Sequence, residues 1–226
     1  MGIVDNIKLI REEIPQNVKL IAVSKTKPVE DILEVYNFGH KVFGENKPQE
    51  LRDKEAVMPK DIEWHFIGHL QTNKVKYIAP FVSLIHSVDS LKLLSEINKE
   101  AIKNERIIDC LIQIDIAHEE TKFGLSENQA RELLSSEEFH TMKNIRICGL
   151  MGIGSITDDN KKTRSEFKEL KSIFLSLKQA FFLTQESFSE ISMGMSSDYS
   201  LAIEEGSTMV RVGSSIFGSR NYLKLQ

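Results

Sequence analysis

Eight short β-rich runs, separated by segments of helical or loop character, are the feature that most constrains how this chain can fold. The runs predict strands at Lys19–Ser24, His40–Gly44, Glu63–Gly68, Leu84–Val88, Asp109–Ile116, Arg146–Met151, Glu190–Met193 and Met209–Ile216. Segments such as Ser90–Asn104 and Lys161–Phe182 carry apolar residues at helical spacing between these runs. Strands that alternate with helices in this way are typical of a parallel sheet.

A closed (β/α)8 TIM barrel explains this count better than an open sheet does. An open, doubly wound sheet of this length would usually have fewer strands and a glycine-rich first turn. The 226 residues suffice for one barrel, and no Pro/Gly/Ser-rich linker or internal repeat divides them. We therefore predict a single domain over residues 1–226. A capping box, Ser126 to Gln129, predicts the start of a helix over Asn128–Ser135.

Composition excludes several kinds of partner. The formal net charge is −4, and Lys and Arg are dispersed, so we expect no nucleic-acid partner. The first residues mix charged and apolar types unlike a signal peptide, and no run reaches the roughly 18 apolar residues of a membrane span. Cys110 and Cys148 lie in apolar runs, where we expect reduced core thiols. These signals favour a cytoplasmic protein without a membrane partner.

Lys25 is the first candidate for chemistry because it follows the first predicted strand directly. In (β/α)8 barrels the working residues lie at the C-terminal ends of the strands. A lysine that loses its hydration there can lose its proton and attack an aldehyde. Taken alone, the position of Lys25 favours a solvated surface charge. We expect Lys27 on the other face of the strand.

The turns after strands seven and eight offer a second set of candidates. Ser192–Asp198 and Arg211–Gly218 are short, hydroxyl-rich and contain glycines, and phosphate commonly binds at this position in such barrels. The alternative is that Gly213 and Gly218 are ordinary turn residues. Arg211 precedes the second turn, and an inward-facing guanidinium needs an acceptor, which a ligand could supply.

A metal site is the least favoured hypothesis. His65 and His69 are four residues apart, but no third ligand follows at a recognisable spacing. We interpret His69 as a polar group near a ligand, with a solvated loop histidine as the alternative. We expect no metal.

Taken together, six blocks in one order resemble the pyridoxal phosphate homeostasis protein family. The blocks are AVSKTKP at 22–28, FGEN at 43–46 with Gln49-Glu50, WHFIGHLQ at 64–71 with Asn73-Lys74, GLM at 149–151, SMGMSSD at 192–198 and MVRVGSSIFG at 209–218. They span nearly the whole chain.

This resemblance implies a barrel of the alanine racemase N-terminal domain type that binds pyridoxal 5′-phosphate (PLP). Lys25 would be the Schiff-base lysine, and Arg211 would face the pyridine nitrogen. The resemblance implies that the phosphate is bound by Ser192, Gly194, Gly213 and Ser214. It places Asn46, His69 and Met151 around the cofactor.

The function that the resemblance implies is PLP homeostasis, in which the protein buffers PLP and delivers it to apo-enzymes without substantial catalysis. Two alternatives stay open. A racemase would need a proton acceptor on each face of the substrate, and alanine racemases take one from a second domain; because the chain ends at Gln226, soon after strand eight, we do not expect this. In an aldolase-type lyase, Lys25 would attack a substrate carbonyl instead. We expect a monomer.

Overall fold

The computed structural model describes residues 2–119 and 123–218, in which eight parallel strands close into a barrel. The strands are Lys19–Val23 (β1), Val42–Glu45 (β2), Glu63–Phe66 (β3), Leu84–Val88 (β4), Ile108–Ile114 (β5), Ile145–Gly152 (β6), Glu190–Met195 (β7) and Met209–Val212 (β8). Each strand pairs with the next along the chain, and β8 pairs with β1. The predicted fold class is confirmed. Of the predicted domain, residue 1, residues 120–122 and residues 219–226 lie outside the described part.

Helices surround this barrel. They are Ile3–Glu13 (α1), Val29–Asn37 (α2), Pro48–Val57 (α3), Leu91–Lys103 (α4), Glu127–Ser135 (α5), Glu137–Thr141 (α6), Asn160–Phe181 (α7), Tyr199–Glu204 (α8) and Ser214–Phe217 (α9), with a 3-10 helix at Thr72–Tyr77. The predicted capping box is present: Ser126 Oγ accepts from the Gln129 amide, and the Gln129 side chain accepts from the Ser126 amide. This reciprocal pair satisfies two amides that a helix start leaves open.

All eight predicted strands are present, and the last one differs most from its predicted bounds. We predicted Met209–Ile216, but β8 ends at Val212 and α9 follows. The carbonyl of Gly213 accepts hydrogen bonds from the amides of Ile216 and Phe217, which turns the chain into a helix. The apolar pattern is interrupted at Gly213-Ser214-Ser215, where the helix begins, and the predicted strand wrongly ran past this interruption.

Apolar side chains fill part of the barrel interior. One buried cluster consists of Ile21, Leu84, Leu111, Cys148, Met151 and Met209. These residues come from strands that are not all neighbours, so they can meet only across the barrel interior. A larger cluster packs the outer faces of the strands against the helices.

Both cysteines are buried free thiols, as predicted. Burial raises the pKa of Cys148 to about 11 and that of Cys110 well above its ordinary value. Neither thiol therefore ionises near neutral pH. Over the ranges 2–119 and 123–218, no helix has the length and apolar character that a bilayer crossing requires.

Candidate functional site

A cavity of about 470 Å³ opens at the C-terminal ends of the barrel strands. It collects most of the residues that the sequence singled out. Those on its wall are Lys25, Asn46, His69, Arg211, Gly213 and Ser214. They come from β1, β2, β3 and β8 or from the turns that follow these strands, so the closure of the barrel brings together residues from both ends of the chain.

Three predicted residues lie behind the wall instead of on it. Met151 is 1% exposed and packs in the apolar layer inside the barrel. Ser192 is 0% exposed within β7. Gly194 has a φ of 91°, and a Cβ added there would lie 2.6 Å from the Cβ of Ala202. The end of β7 therefore needs glycine for its shape.

Two hydroxyls that sequence reasoning missed, Ser196 and Ser197, lie on the cavity wall. Ser196 Oγ accepts a hydrogen bond of 3.1 Å from the Gly213 amide and so joins the turns after β7 and β8. The hydroxyl-rich run was visible in the sequence. Which of its serines face the cavity depends on the bend at Gly194, and that bend is not visible in a pattern.

Lys25 is half-buried on the same side of the chain as Val23, and both line the cavity. The expectation that Lys27 lies on the other face was wrong, because Lys27 also lines the cavity. The strand ends at Val23, and Thr26 has a left-handed φ of 64°. Lys27 Nζ donates a 2.8 Å hydrogen bond to the Phe217 carbonyl, in the helix that follows the neighbouring strand β8.

Asn46 contributes an acceptor that the described residues leave unused. Its Oδ1 is buried and has no hydrogen-bond partner within residues 2–119 and 123–218. Buried polar atoms are nearly always satisfied in native proteins, so this oxygen indicates a place for a donor from a ligand. On the other side of the cavity, α9 begins at Ser214, and the first amides of a helix have no partner inside it.

Arg211 belongs to a chain of buried hydrogen bonds, which we call the interior network: His65, His86, Ser192 and Arg211. Arg211 Nη1 donates to Ser192 Oγ at 2.6 Å, and Nη2 donates to the Gly152 carbonyl at 2.9 Å. Ser192 Oγ lies 2.9 Å from His86 Nδ1, and His86 Nε2 lies 3.0 Å from His65 Nδ1. We expected a ligand to supply acceptors for the Arg211 guanidinium, and the protein itself supplies two of them.

One direction in the interior network is fixed. A guanidinium can only donate, so Ser192 accepts from Arg211, whereas the donors and acceptors in the two histidine contacts depend on the tautomers of His65 and His86. Burial lowers the pKa of His65 to about 3 and that of His86 well below its ordinary value, so both imidazoles are neutral. Burial also lowers the pKa of Arg211 to about 10, which leaves it charged at neutral pH.

His65 and His69, considered above as a metal pair, lie in different environments. His65 lies inside the barrel, whereas His69 Nδ1 is 3.2 Å from Asp89 Oδ2 and its ring stacks on Phe123 at 3.9 Å between centroids. In the part of the chain that the structure describes, no group of three or more His, Cys, Asp or Glu side chains could hold a metal ion.

A second set of buried polar residues, the outer network, lies between the barrel wall and α3: Ser24, Glu45, Glu50 and Lys54. Lys54 Nζ donates to Glu45 Oε1 at 2.7 Å and to Glu50 Oε1 at 2.8 Å. Ser24 Oγ also donates to Glu45 Oε1, at 2.6 Å. Burial raises the pKa of Glu45. Sequence reasoning missed this network because nothing local to a strand shows which helix covers it.

Comparison with known proteins places this geometry in a family. Residues 2–221 match the family described as "Alanine racemase, N-terminal domain". A protein of Aquifex aeolicus named "Pyridoxal phosphate homeostasis protein" is 43% identical over 205 residues, which is 90% of this chain and 88% of the relative. The chain belongs to the pyridoxal phosphate homeostasis protein family. The predicted resemblance is confirmed.

Solved structures agree with this family assignment. PipY of Synechococcus elongatus, solved with PLP bound, is 33% identical and has a TM-score of 0.87, with 96% of this chain and 100% of PipY covered. An alanine racemase of Clostridium difficile has a TM-score of 0.76 at 15% identity, with 97% of this chain and 56% of the racemase covered. The racemase match shows the fold alone. The chain therefore has the barrel type of the alanine racemase N-terminal domain, as we predicted.

Proposed function

We propose that this protein binds PLP as a Schiff base on Lys25, buffers it and delivers it to apo-enzymes, without substantial catalysis. The observation that carries this proposal is that Lys25, Arg211 and the turns after β7 and β8 share one cavity. The name of the relatives and the PLP in PipY support the same ligand. We further propose that the carrier acts as a monomer in the cytoplasm.

The cavity residues fit the chemical groups of PLP. The cofactor supplies an aldehyde that condenses reversibly with a lysine amine. Lys25 is the amine on the cavity wall, and the unused Oδ1 of Asn46 is an acceptor for a donor on the ring. Gly213 and Ser214 offer a backbone turn and a hydroxyl for the phosphate.

The proposed roles of the remaining residues follow from where they lie. Ser196 and Ser197 join Gly213 and Ser214 at the phosphate, because all four line the cavity. Ser192 acts from behind the wall by holding Arg211, and Gly194 gives the turn its bend. His69 lines the mouth, and Met151 packs in the apolar layer of the interior.

Arg211 favours a carrier over a catalyst. A guanidinium that faces the pyridine nitrogen can donate to that nitrogen but cannot give up a proton to it readily. An unprotonated ring withdraws electrons weakly and so discourages the carbanion chemistry of racemases and transaminases. A racemase also requires a proton acceptor on each face of its substrate.

The central test is where PLP attaches. Purified protein incubated with PLP is reduced with borohydride, and its peptides are mapped. We expect the pyridoxyl group on Lys25 only, and we expect Lys25→Ala to lose it completely while its free energy of unfolding changes by less than about 1 kcal/mol, since the side chain is not part of the core.

Lys27→Ala is the matched control, because Lys27 lines the same cavity. This variant should still carry the adduct on Lys25. A wild-type protein that stays colourless with PLP, or an adduct on another peptide, would overturn the proposal.

The absence of substantial catalysis has its own test. The PLP-loaded protein is incubated with L-alanine in deuterated water, and deuterium at the α-carbon is followed by mass spectrometry. We expect incorporation no faster than with free PLP. Faster incorporation that Lys25→Ala abolishes would establish a racemase instead.

A further inference from the structure

The backbone on both sides of Lys25 is bonded to side chains behind the barrel wall. Before Lys25, Ser24 accepts a 2.8 Å hydrogen bond from Lys54 Nζ at its carbonyl. After Lys25, the amide of Thr26 donates a 2.6 Å hydrogen bond to Glu50 Oε1. Lys54 also binds Glu50, so the two peptide units that flank Lys25 are tied to one ion pair on α3.

Thr26 adopts a conformation that needs this support. Its φ of 64° lies in the left-handed region, which β-branched residues rarely adopt. Such conformations persist where the surroundings impose them, and they concentrate at functional sites. A hydrogen bond to a carboxylate is stronger than one to a neutral acceptor, so Glu50 is a suitable partner for this amide.

The group that holds Thr26 is itself fixed by burial. The Lys54 side chain is 8% exposed, that of Glu45 is 0% exposed and that of Glu50 is 22% exposed. Glu50 and Lys54 are four residues apart on α3, which places their side chains on one face of the helix. The position of α3 therefore determines the position of the backbone at the end of β1.

We propose that Glu50, held by Lys54, is a positioning residue that aims Lys25 into the cavity. This inference rests on the proposed function. Without Glu50, Thr26 can relax towards a negative φ, and this rotates the peptide unit that carries Lys25. The amine then spends less time where an aldehyde can reach it, so both the rate of adduct formation and the affinity for PLP fall.

The test compares two glutamates of the same helix. Glu55 also lies on α3 and also binds a lysine, but its partner Lys60 is exposed and remote from the strand end. We expect Glu50→Ala to weaken PLP binding about tenfold, the loss of one hydrogen bond to a charged group, and Glu55→Ala to leave it unchanged. The dissociation constant is measured by titrating the visible absorbance of the adduct.

Glu50→Gln provides the rescue. Its amide oxygen can still accept from Thr26, so this variant should regain most of the affinity that Glu50→Ala loses. A second background, Thr26→Gly, separates positioning from general stability, because glycine adopts a positive φ at no cost. In that background Glu50→Ala should weaken PLP binding clearly less than it does beside Thr26.

The outcomes distinguish the inference from the function on which it rests. If wild type and Glu55→Ala fail to bind PLP, the proposed function is wrong. If they bind and Glu50→Ala stays within about twofold of them, or if its effect is the same in both backgrounds, the positioning role is wrong. Should Glu50→Ala fail to fold, Glu50→Met, which keeps the length of the side chain but cannot accept from the Thr26 amide, is compared between the wild-type and Thr26→Gly backgrounds and decides in the same way.

Discussion

The interior and outer networks lie on opposite sides of the barrel wall and treat buried charge differently. The outer network contains three ionisable side chains, in which the Lys54 ammonium pairs with both Glu45 and Glu50. The interior network contains one charged group, Arg211, which forms no ion pair within the described residues and bonds only to a hydroxyl and a carbonyl. The comparison shows that a network with paired charges can hold the backbone, whereas a charge without an ion partner among the described residues remains available to a ligand.

This difference follows from the cost of removing charge from water. A buried ion is expensive unless a partner and hydrogen bonds compensate it. The outer network meets that requirement from residues of the chain itself. Arg211 lines the cavity, so part of its compensation can come from whatever binds there. Four changes break or sharpen the comparison.

The largest effect is expected from Lys54→Met in the outer network. This variant leaves Glu45 buried without its counter-ion, so we expect the free energy of unfolding to fall by about 3–5 kcal/mol in urea titrations. Lys60→Met removes the exposed partner of Glu55 from the same region and should cost less than about 1 kcal/mol. Equal losses in the two variants would show that the outer network does not carry the stability assigned to it.

The second effect concerns acid. Burial lowers the pKa of His65 to about 3, against an ordinary value of 6.5 in the unfolded chain. Below pH 6.5 the unfolded state therefore binds a proton that the folded state does not bind. The free energy of unfolding consequently falls as the pH decreases towards 3. We expect His65→Phe to reduce this slope by about 1.4 kcal/mol per pH unit. Chemical denaturation at a series of pH values measures it; parallel curves for the two proteins would contradict the assignment.

Glu45 in the outer network should show the opposite sign. Burial raises its folded pKa above the ordinary 4.5, so the folded state holds a proton more tightly than the unfolded state does. Its contribution to stability therefore declines as pH rises from 4.5 through the folded pKa. Comparison of wild type with Glu45→Gln over the same pH series tests this difference between the networks.

The smallest effect is expected from Arg211→Met, and it should fall on binding more than on folding. We expect PLP affinity to drop about tenfold, because a charged donor to the ligand is lost. The free energy of unfolding should change by less than about 2 kcal/mol, since the variant also removes a buried charge that has no ion partner among the described residues. Arg146→Met, which loses an exposed pair with Asp109, is the control and should leave affinity unchanged.

Features that depend on neighbouring residues could be predicted from the sequence. The eight strands follow from short apolar runs, and the position of Lys25 follows from its place at the end of the first. The capping box at Ser126 is equally local. The prediction of the last strand ran too far, because it included Gly213-Ser214-Ser215, where the strand has ended and a helix begins.

Features that depend on distant pairing could not be predicted. His86 is one polar residue in an apolar strand, and only the closed barrel shows that it reaches Ser192, 106 residues away. Lys54 reads as a surface helix residue until α3 is placed against the strand end. The same limit explains why Ser192 and Met151 were expected beside the ligand and lie behind the cavity wall.

The sequence separations within the two networks have a consequence for how the protein is made. Lys54 bonds to the carbonyl of a residue 30 positions earlier, so the outer network can form once the first quarter of the chain has left the ribosome. The interior network joins β3 to β8 and must wait for nearly all of it. Contacts over short separations close at a smaller cost in chain entropy. The hydrogen bonds that hold the backbone around Lys25 can thus form early, whereas those of Arg211 form late. A nascent chain can complete the cavity only when β8 pairs with β1.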